Sequence, residues 1–232
     1  MLQFAVISSS EDAMRWLLEA GADVNAVEGE YGTALQAACY LGNESRVHLL
    51  LDYGAHVNMP ACGNYGNALQ AAVERGNESV VQLLLGRGAD VNARGGRYET
   101  ALQAATNSGK ESLVQLFLEK GADVNAVSGR FGTALCAALT GGHGDIARLL
   151  LEHRADIKAQ VSAKLTKATG SDSMEECSSA LAAAAGSEKP ELVQLLLDHG
   201  VEINADGKAC ASALWNAAVC SDTTMLKFLI AN

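Results

Sequence analysis

The sequence predicts an all-α solenoid of helix-turn-helix units joined by hairpin loops, and three observations predict it. Ala22-Asp23-Val24-Asn25 returns as Ala55-His56-Val57-Asn58, Ala89-Asp90-Val91-Asn92, Ala122-Asp123-Val124-Asn125, Ala155-Asp156-Ile157-Lys158 and Val201-Glu202-Ile203-Asn204, at steps of 33, 34, 33, 33 and 46 residues. A second phrase keeps the same beat: Thr33-Ala34-Leu35, Asn67-Ala68-Leu69, Thr100-Ala101-Leu102, Thr133-Ala134-Leu135, Ser179-Ala180-Leu181 and Ser212-Ala213-Leu214. Two prolines, 5% aromatics and abundant Ala and Leu favour small-residue helix packing over strands. A unit this short cannot bury its apolar face alone, so neighbours must stack, and function belongs on an extended surface rather than in one buried pocket.

The elements follow in order from the unit Tyr65 to Arg97. Ala68 to Arg75 reads as a short Ala-rich helix that Gly76 breaks. Asn77 is placed to cap a second helix from Glu78 to Arg87 by accepting from its free N–H groups. Val80, Val81, Leu83, Leu84 and Leu85 make that helix too apolar for exposure, leaving Ser79, Gln82 and Gly86 to face outward at period 3.6. Gly88 ends it with a left-handed residue, and Ala89 to Arg97 is an extended, glycine-containing hairpin.

Other copies fill the same slots. Ser10, Asn43 and Asp222 stand at the second helix's cap, and Pro190 falls one residue later, where a missing N–H costs nothing. Gly21, Gly54, Gly121 and Gly200 match Gly88, but Arg154 does not. A non-glycine left-handed residue costs about 1–2 kcal/mol, so that unit is expected to be strained or to end its helix differently. Ser8-x-x-Glu11 reads as a capping box.

Seven units result, as a single array over 1–232: 1–30, 31–64, 65–97, 98–130, 131–176, 177–209 and 210–232. Both ends fall at unit boundaries, as either a complete small protein or an array cut from a longer one would have them. The first and last units place Trp16 and Phe228 where inner units have leucine. The 46-residue step leaves 13 extra residues, and 160–176, rich in Lys, Ser, Thr, Ala and Glu, is expected to form a long hairpin or mobile loop.

Composition narrows the function classes. A formal charge of −10 opposes binding to nucleic acid or anionic membranes, because phosphates would meet a repelling surface. No apolar run approaches about 18 residues and no basic segment precedes the apolar start, so neither a membrane span nor a signal peptide is expected. Cys39, Cys62, Cys136, Cys177, Cys210 and Cys220 contain no Cys-x-x-Cys and no regular spacing. They read as reduced thiols of the cytoplasm, or alternatively the nucleus. His48, His56, His143, His153 and His199 have no metal-ligand spacing and read as structural, His143 packing in its turn. No catalytic, cofactor-binding or metal-binding residue is assigned, and no phosphate-binding Gly-x-x-x-x-Gly-Lys-Ser/Thr loop exists.

The unit resembles the ankyrin repeat. The family's Thr-Pro-Leu-His opening is matched by Thr33-Ala34-Leu35-Gln36 and Thr100-Ala101-Leu102-Gln103, and its Gly-Ala-Asp-Val-Asn close stands at Gly21 to Asn25, Gly88 to Asn92 and Gly121 to Asn125. Gln36, Gln70 and Gln103 can donate and accept like the family's histidine and so tie helix to hairpin, whereas Cys136, Ala182 and Trp215 cannot. The phrase Tyr31 to Ala38 is similar to ankyrin arrays at the C-terminal ends of filamentous-fungal NACHT or STAND receptors.

The resemblance implies a noncatalytic protein-interaction scaffold that reads a protein partner through hairpin tips and a concave helical face. The alternative is an enzyme or small-molecule-binding protein that uses the concave groove. Arg94, Arg97, Arg130, Lys164 and Lys167 fall on consecutive hairpins of an acidic chain, as either a solvated surface or a patch for an acidic partner. Ala37, Ala71, Ala104, Ala137 and Ala183 are expected to floor the concave side, bordered by Tyr40, Leu41, Glu74, Arg75, Asn107 and Ser108. Tyr31, Tyr65, Tyr98 and Phe131 stand at hairpin bases, where they stack on neighbouring units, with partner contact as the alternative.

Overall fold

The computed structural model describes residues 1–8, 10–60, 62–127, 132–158, 180–187, 189–201, 213–218 and 223–231. Arg130, Phe131, Lys164, Lys167, Asp222, Cys177, Cys210, Cys220 and the insertion 160–176 lie outside them. The described residues form helices taken in pairs: α1 (Leu2–Ile7) and α2 (Glu11–Glu19), α3 (Ala34–Leu41) and α4 (Glu44–Asp52), α5 (Ala68–Arg75) and α6 (Glu78–Gly86), α7 (Ala101–Asn107) and α8 (Glu111–Glu119), α9 (Ala134–Thr140) and α10 (Gly144–Glu152), α11 (Ala180–Ala185) and α12 (Pro190–Asp198), α13 (213–218) and α14 (Thr223–Ala231). The hairpins are pinched by isolated antiparallel bridges, Glu28 with Gly32 and Gly95 with Glu99.

The chain divides into two compact units, Met1–Ser108 with Glu119–Ala122, and Gly109–Leu118 with Asp123–Asn232. In the first, the leading helices α1, α3, α5 and α7 stack in order, and each of α2, α4 and α6 packs on its own partner. In the second, α9 stacks on α11 while α10 and α12 lie beside them. Alanine explains the closeness of these stacks: Ala37, Ala71, Ala104, Ala137 and Ala183 are 0–2% exposed. The expected alanine floor of a groove is therefore internal packing, since a methyl is the only side chain that two closely stacked helices leave room for. The exposed rim falls to Leu41, Arg75 and Ser108, with Tyr40, Glu74 and Asn107 half-buried.

Capping follows the sequence with two exceptions. Thr33 and Asn67 accept from the N–H of Gln36 and Gln70, and each glutamine side chain accepts in return from the cap's own N–H, closing capping boxes. Ser10 and Asn43 cap α2 and α4 as expected. Ser8 does not form the expected box: its hydroxyl donates to the Ala5 carbonyl at 3.3 Å, because Ser10 already holds the cap. Asn77 makes no cap bond. Its amide turns onto the preceding repeat and donates to the Cys39 carbonyl at the end of α3, 3.3 Å away. Arg154 ends α10 as the glycines end theirs, at φ +67°, with the Ala155 N–H returning to the Leu150 carbonyl. Of the two expected outcomes, the strained one is realised.

The recurring Asp-x-Asn has a mechanical reason. Asp23, Asp90, Asp123 and Asp156 accept through Oδ1 from the N–H two residues on, folding the turn. Asn25 and Asn58 then clamp the next repeat: Nδ2 donates to the carbonyls of Gly54 and Gly88, and Oδ1 accepts from the N–H of His56 and Asp90, all at 2.8–3.2 Å. Asn125 does the same to Arg154 and Asp156. An amide serves both bonds because it can give and accept at once. Glutamine supplies a second clamp: Gln36 and Gln70 donate to the Gly66 and Glu99 carbonyls at 2.7 and 2.8 Å, as their sequence slots predict.

Candidate functional site

The first unit carries a tyrosine stack built from three elements. Tyr31 and Tyr65 precede Gly32 and Gly66, whose φ values of +84° and +79° turn each hairpin into its helix, and Tyr40 closes the last full turn of α3. Their ring centroids lie 5.7 Å apart for Tyr31 with Tyr40, 5.4 Å for Tyr31 with Tyr65 and 4.0 Å for Tyr40 with Tyr65. Tyr31 and Tyr65 thus stack as expected, but Tyr40 joins them. That went unread in the sequence because no other repeat has an aromatic there, so periodicity could not flag it.

One arginine lies over a ring of this stack and another over Tyr98 at the next hairpin base. The Arg75 guanidinium lies over the Tyr40 ring at 5.4 Å, and that of Arg97 over Tyr98 at 5.6 Å. Burial pushes the Glu74 carboxyl above the ordinary range, and Arg97 pulls it partly back. A hydrogen bond with Tyr40, followed by burial and nearby charges, pushes the Tyr65 phenol up to about 12. Both groups are thereby biased to their neutral forms. Arg94 is exposed on the same hairpin as Arg97, and Asn107 ends α7 half-buried.

His143 packs in its turn, as its slot predicts. In the second unit the His143 ring fills the space beside Gly109 and Gly141, which leaves no room for a Cβ on either. Around it Lys189 donates to the Gly142 carbonyl at 2.8 Å and Arg148 to Asp145 at 2.8 Å. These residues line a surface hollow of about 360 Å³, in which Arg148 and Asp145 are paired with each other. Among the described residues, Cys39, Cys62 and Cys136 are free thiols, and burial pushes the Cys39 thiol up and out of reach of ionisation. No group of three or more His, Cys, Asp or Glu there could hold a metal ion, and no helix is long and apolar enough to cross a membrane. Arg46 went unread: it is 9% exposed and donates to the Val6 carbonyl at 2.8 Å, in the slot of Val80 and Ile146. An arginine in an apolar slot was the available signal.

The family model for ankyrin repeats (3 copies) matches residues 2–95 and 93–161, more than half of the chain. The chain belongs to the ankyrin-repeat family. No curated protein matches it. Among solved structures, the human ASB11 ankyrin repeat domain is similar, with a TM-score of 0.74 at 24% identity over 99% of this chain and 96% of that one. At that identity the likeness speaks for the all-helical ankyrin fold, and ankyrin repeats as a class mediate protein–protein interaction.

Proposed function

We propose that this ankyrin array is a noncatalytic recognition module and scaffold that binds an acidic protein partner through its hairpin tips and helix ends. The residues assigned to contact are Arg94, Arg97, Arg130, Lys164 and Lys167 on the hairpins, with Tyr40, Glu74, Arg75 and Asn107 at the helix ends. One observation carries the reading. Arg94 and Arg97 are exposed on a hairpin whose backbone is pinned by the Gly95–Glu99 bridge and by Gln70, so their guanidinium groups are offered from a fixed frame. Fixed forks suit bidentate recognition of carboxylates. A single array over 1–232, cytoplasmic or nuclear residence, and kinship with NACHT or STAND receptor arrays belong to the same proposal.

Affinity purification with the parent chain and with R94E/R97E/R130E tests it. The reversed protein should keep its helicity and melting temperature, since exposed side chains contribute little to folding. It should lose partner affinity mainly through slower, salt-sensitive association. A natural partner that binds both proteins equally fast and tightly would overturn the assignment of the hairpins.

A further inference from the structure

We propose that the tyrosine stack of the first unit, with its flanking arginines, docks an extended acidic peptide segment of a protein partner. Partner carboxylates would sit on Arg75 and Arg97, and an apolar or aromatic partner side chain against Tyr31, Tyr40 and Tyr65. This rests on the protein-recognition reading above and gives it a chemistry and a place.

The pairing of arginines selects the site. Arg15 bonds Glu11 at 2.8 Å, Arg148 bonds Asp145 at 2.8 Å and Arg87 bonds Asp52 at 3.2 Å. With 27 acidic residues against 17 basic ones, carboxylates are in excess across the chain. Yet Arg75, Arg94 and Arg97, all in the one repeat 65–97, form no ion pair within 4 Å among the described residues. Arg154 is likewise unpaired, but no aromatic accompanies it. Arg75 and Arg97 lie over tyrosine faces, which leaves the in-plane N–H fork open to an incoming carboxylate.

The platform itself suits an acidic occupant. Three rings already in mutual contact have little rotamer freedom left to lose on binding. Tyr65 stays a neutral phenol at physiological pH, so it adds no repulsion. Glu74 is an acid of the patch, and burial raises its carboxyl toward the neutral form while Arg97 offsets its charge. A basic peptide would meet three unpaired guanidinium groups, and an uncharged one would leave them without partners.

Panning a displayed library of random dodecapeptides on the intact chain tests the proposal. The selected pool should be enriched in Asp and Glu around an aromatic or long apolar residue. A peptide from it should bind R75E/R97E at least about tenfold more weakly. R15E/R148E, which makes the same change in net charge elsewhere, should leave its affinity unchanged. R75Q/R97Q should weaken binding in the same direction, with all variants retaining their helical circular dichroism. A neutral or basic pool, equal affinity for R75E/R97E, or no selected pool would overturn the proposal. Should the peptides map to Arg94 alone, or a natural partner be captured while no pool emerges, protein recognition stands and this docking site falls.

Discussion

Thr106 stands in the last turn of α7, wholly buried, with no hydrogen-bond partner for its hydroxyl. The same slot in neighbouring repeats holds Cys39, Val73 and Leu139, all buried and without a hydroxyl to satisfy. An unpaired buried hydroxyl costs about 1–3 kcal/mol, so Thr106→Val should raise stability by about 1 kcal/mol without changing the fold. Urea unfolding reads this directly, and a fall in midpoint would show that the hydroxyl has a use. Glu99 and Arg154 pose a related problem, at φ +66° and +67° in slots where other repeats have glycine. Each bears the left-handed penalty of about 1–2 kcal/mol, part of which glycine's greater chain entropy would return. Arg154→Gly should therefore stabilise the chain by about 0.5–1 kcal/mol, seen as a higher melting temperature. An unchanged one would mean that the Arg154 side chain makes compensating contacts.

The second repeat meets the third through two polar clamps as well as through apolar burial. Asparagine closes the end of the second helix and glutamine the base of the hairpin, and both work by donating and accepting at once. The two functions of one asparagine can be separated. Asn58→Ala removes both bonds and should cost about 1–2 kcal/mol, the net worth of two intramolecular hydrogen bonds at an exposed site. Asn58→Asp keeps the acceptor for the Asp90 N–H but turns the donor to Gly88 into a repelling oxygen, so it should cost at least as much. Equal stability of Asn58→Ala and the parent, measured by denaturant midpoint, would reduce the clamp to a bystander of helix packing. Arg46 is a third kind of tie, its guanidinium meeting one of the last carbonyls of α1, where the helix dipole favours a cation.

Along the chain these ties thin out. Asn25, Asn58 and Asn125 clamp their successors, but Lys158 occupies the next slot and an ammonium cannot accept. The Asp156 turn still forms, so local folding there does not depend on an asparagine. In a repeat protein stability is a sum of intrinsic and neighbour terms, and losing a neighbour term lowers local protection. Amide hydrogen exchange should accordingly be slower at Leu83 to Leu85 and Leu116 to Leu118 than at Leu195 to Leu197. The opposite order would mean that apolar burial alone sets the gradient and that the clamps contribute nothing to it.

The repeat period, the helix pairs and most turn residues were legible in the sequence because each follows from local chemistry repeated many times. Gly76 and Gly88 had to be left-handed, Thr33 had to cap, and Gln36 and Gln70 had to reach the next hairpin, whatever lay further away. What local chemistry could not fix was the use of groups that have two possible partners. Asn77 can cap its own helix or bond Cys39 across the repeat boundary, and packing against Gly42 chose the latter. Alanine can floor a groove or vanish between helices, and only the distance between α3 and α5 decides that Ala37 and Ala71 vanish. The tyrosine stack belongs to the same class. Tyr31 and Tyr65 announced themselves by recurrence, whereas Tyr40 met them only because stacking brings the end of one helix to the base of the next hairpin, a neighbourhood set by three-dimensional packing rather than by sequence spacing.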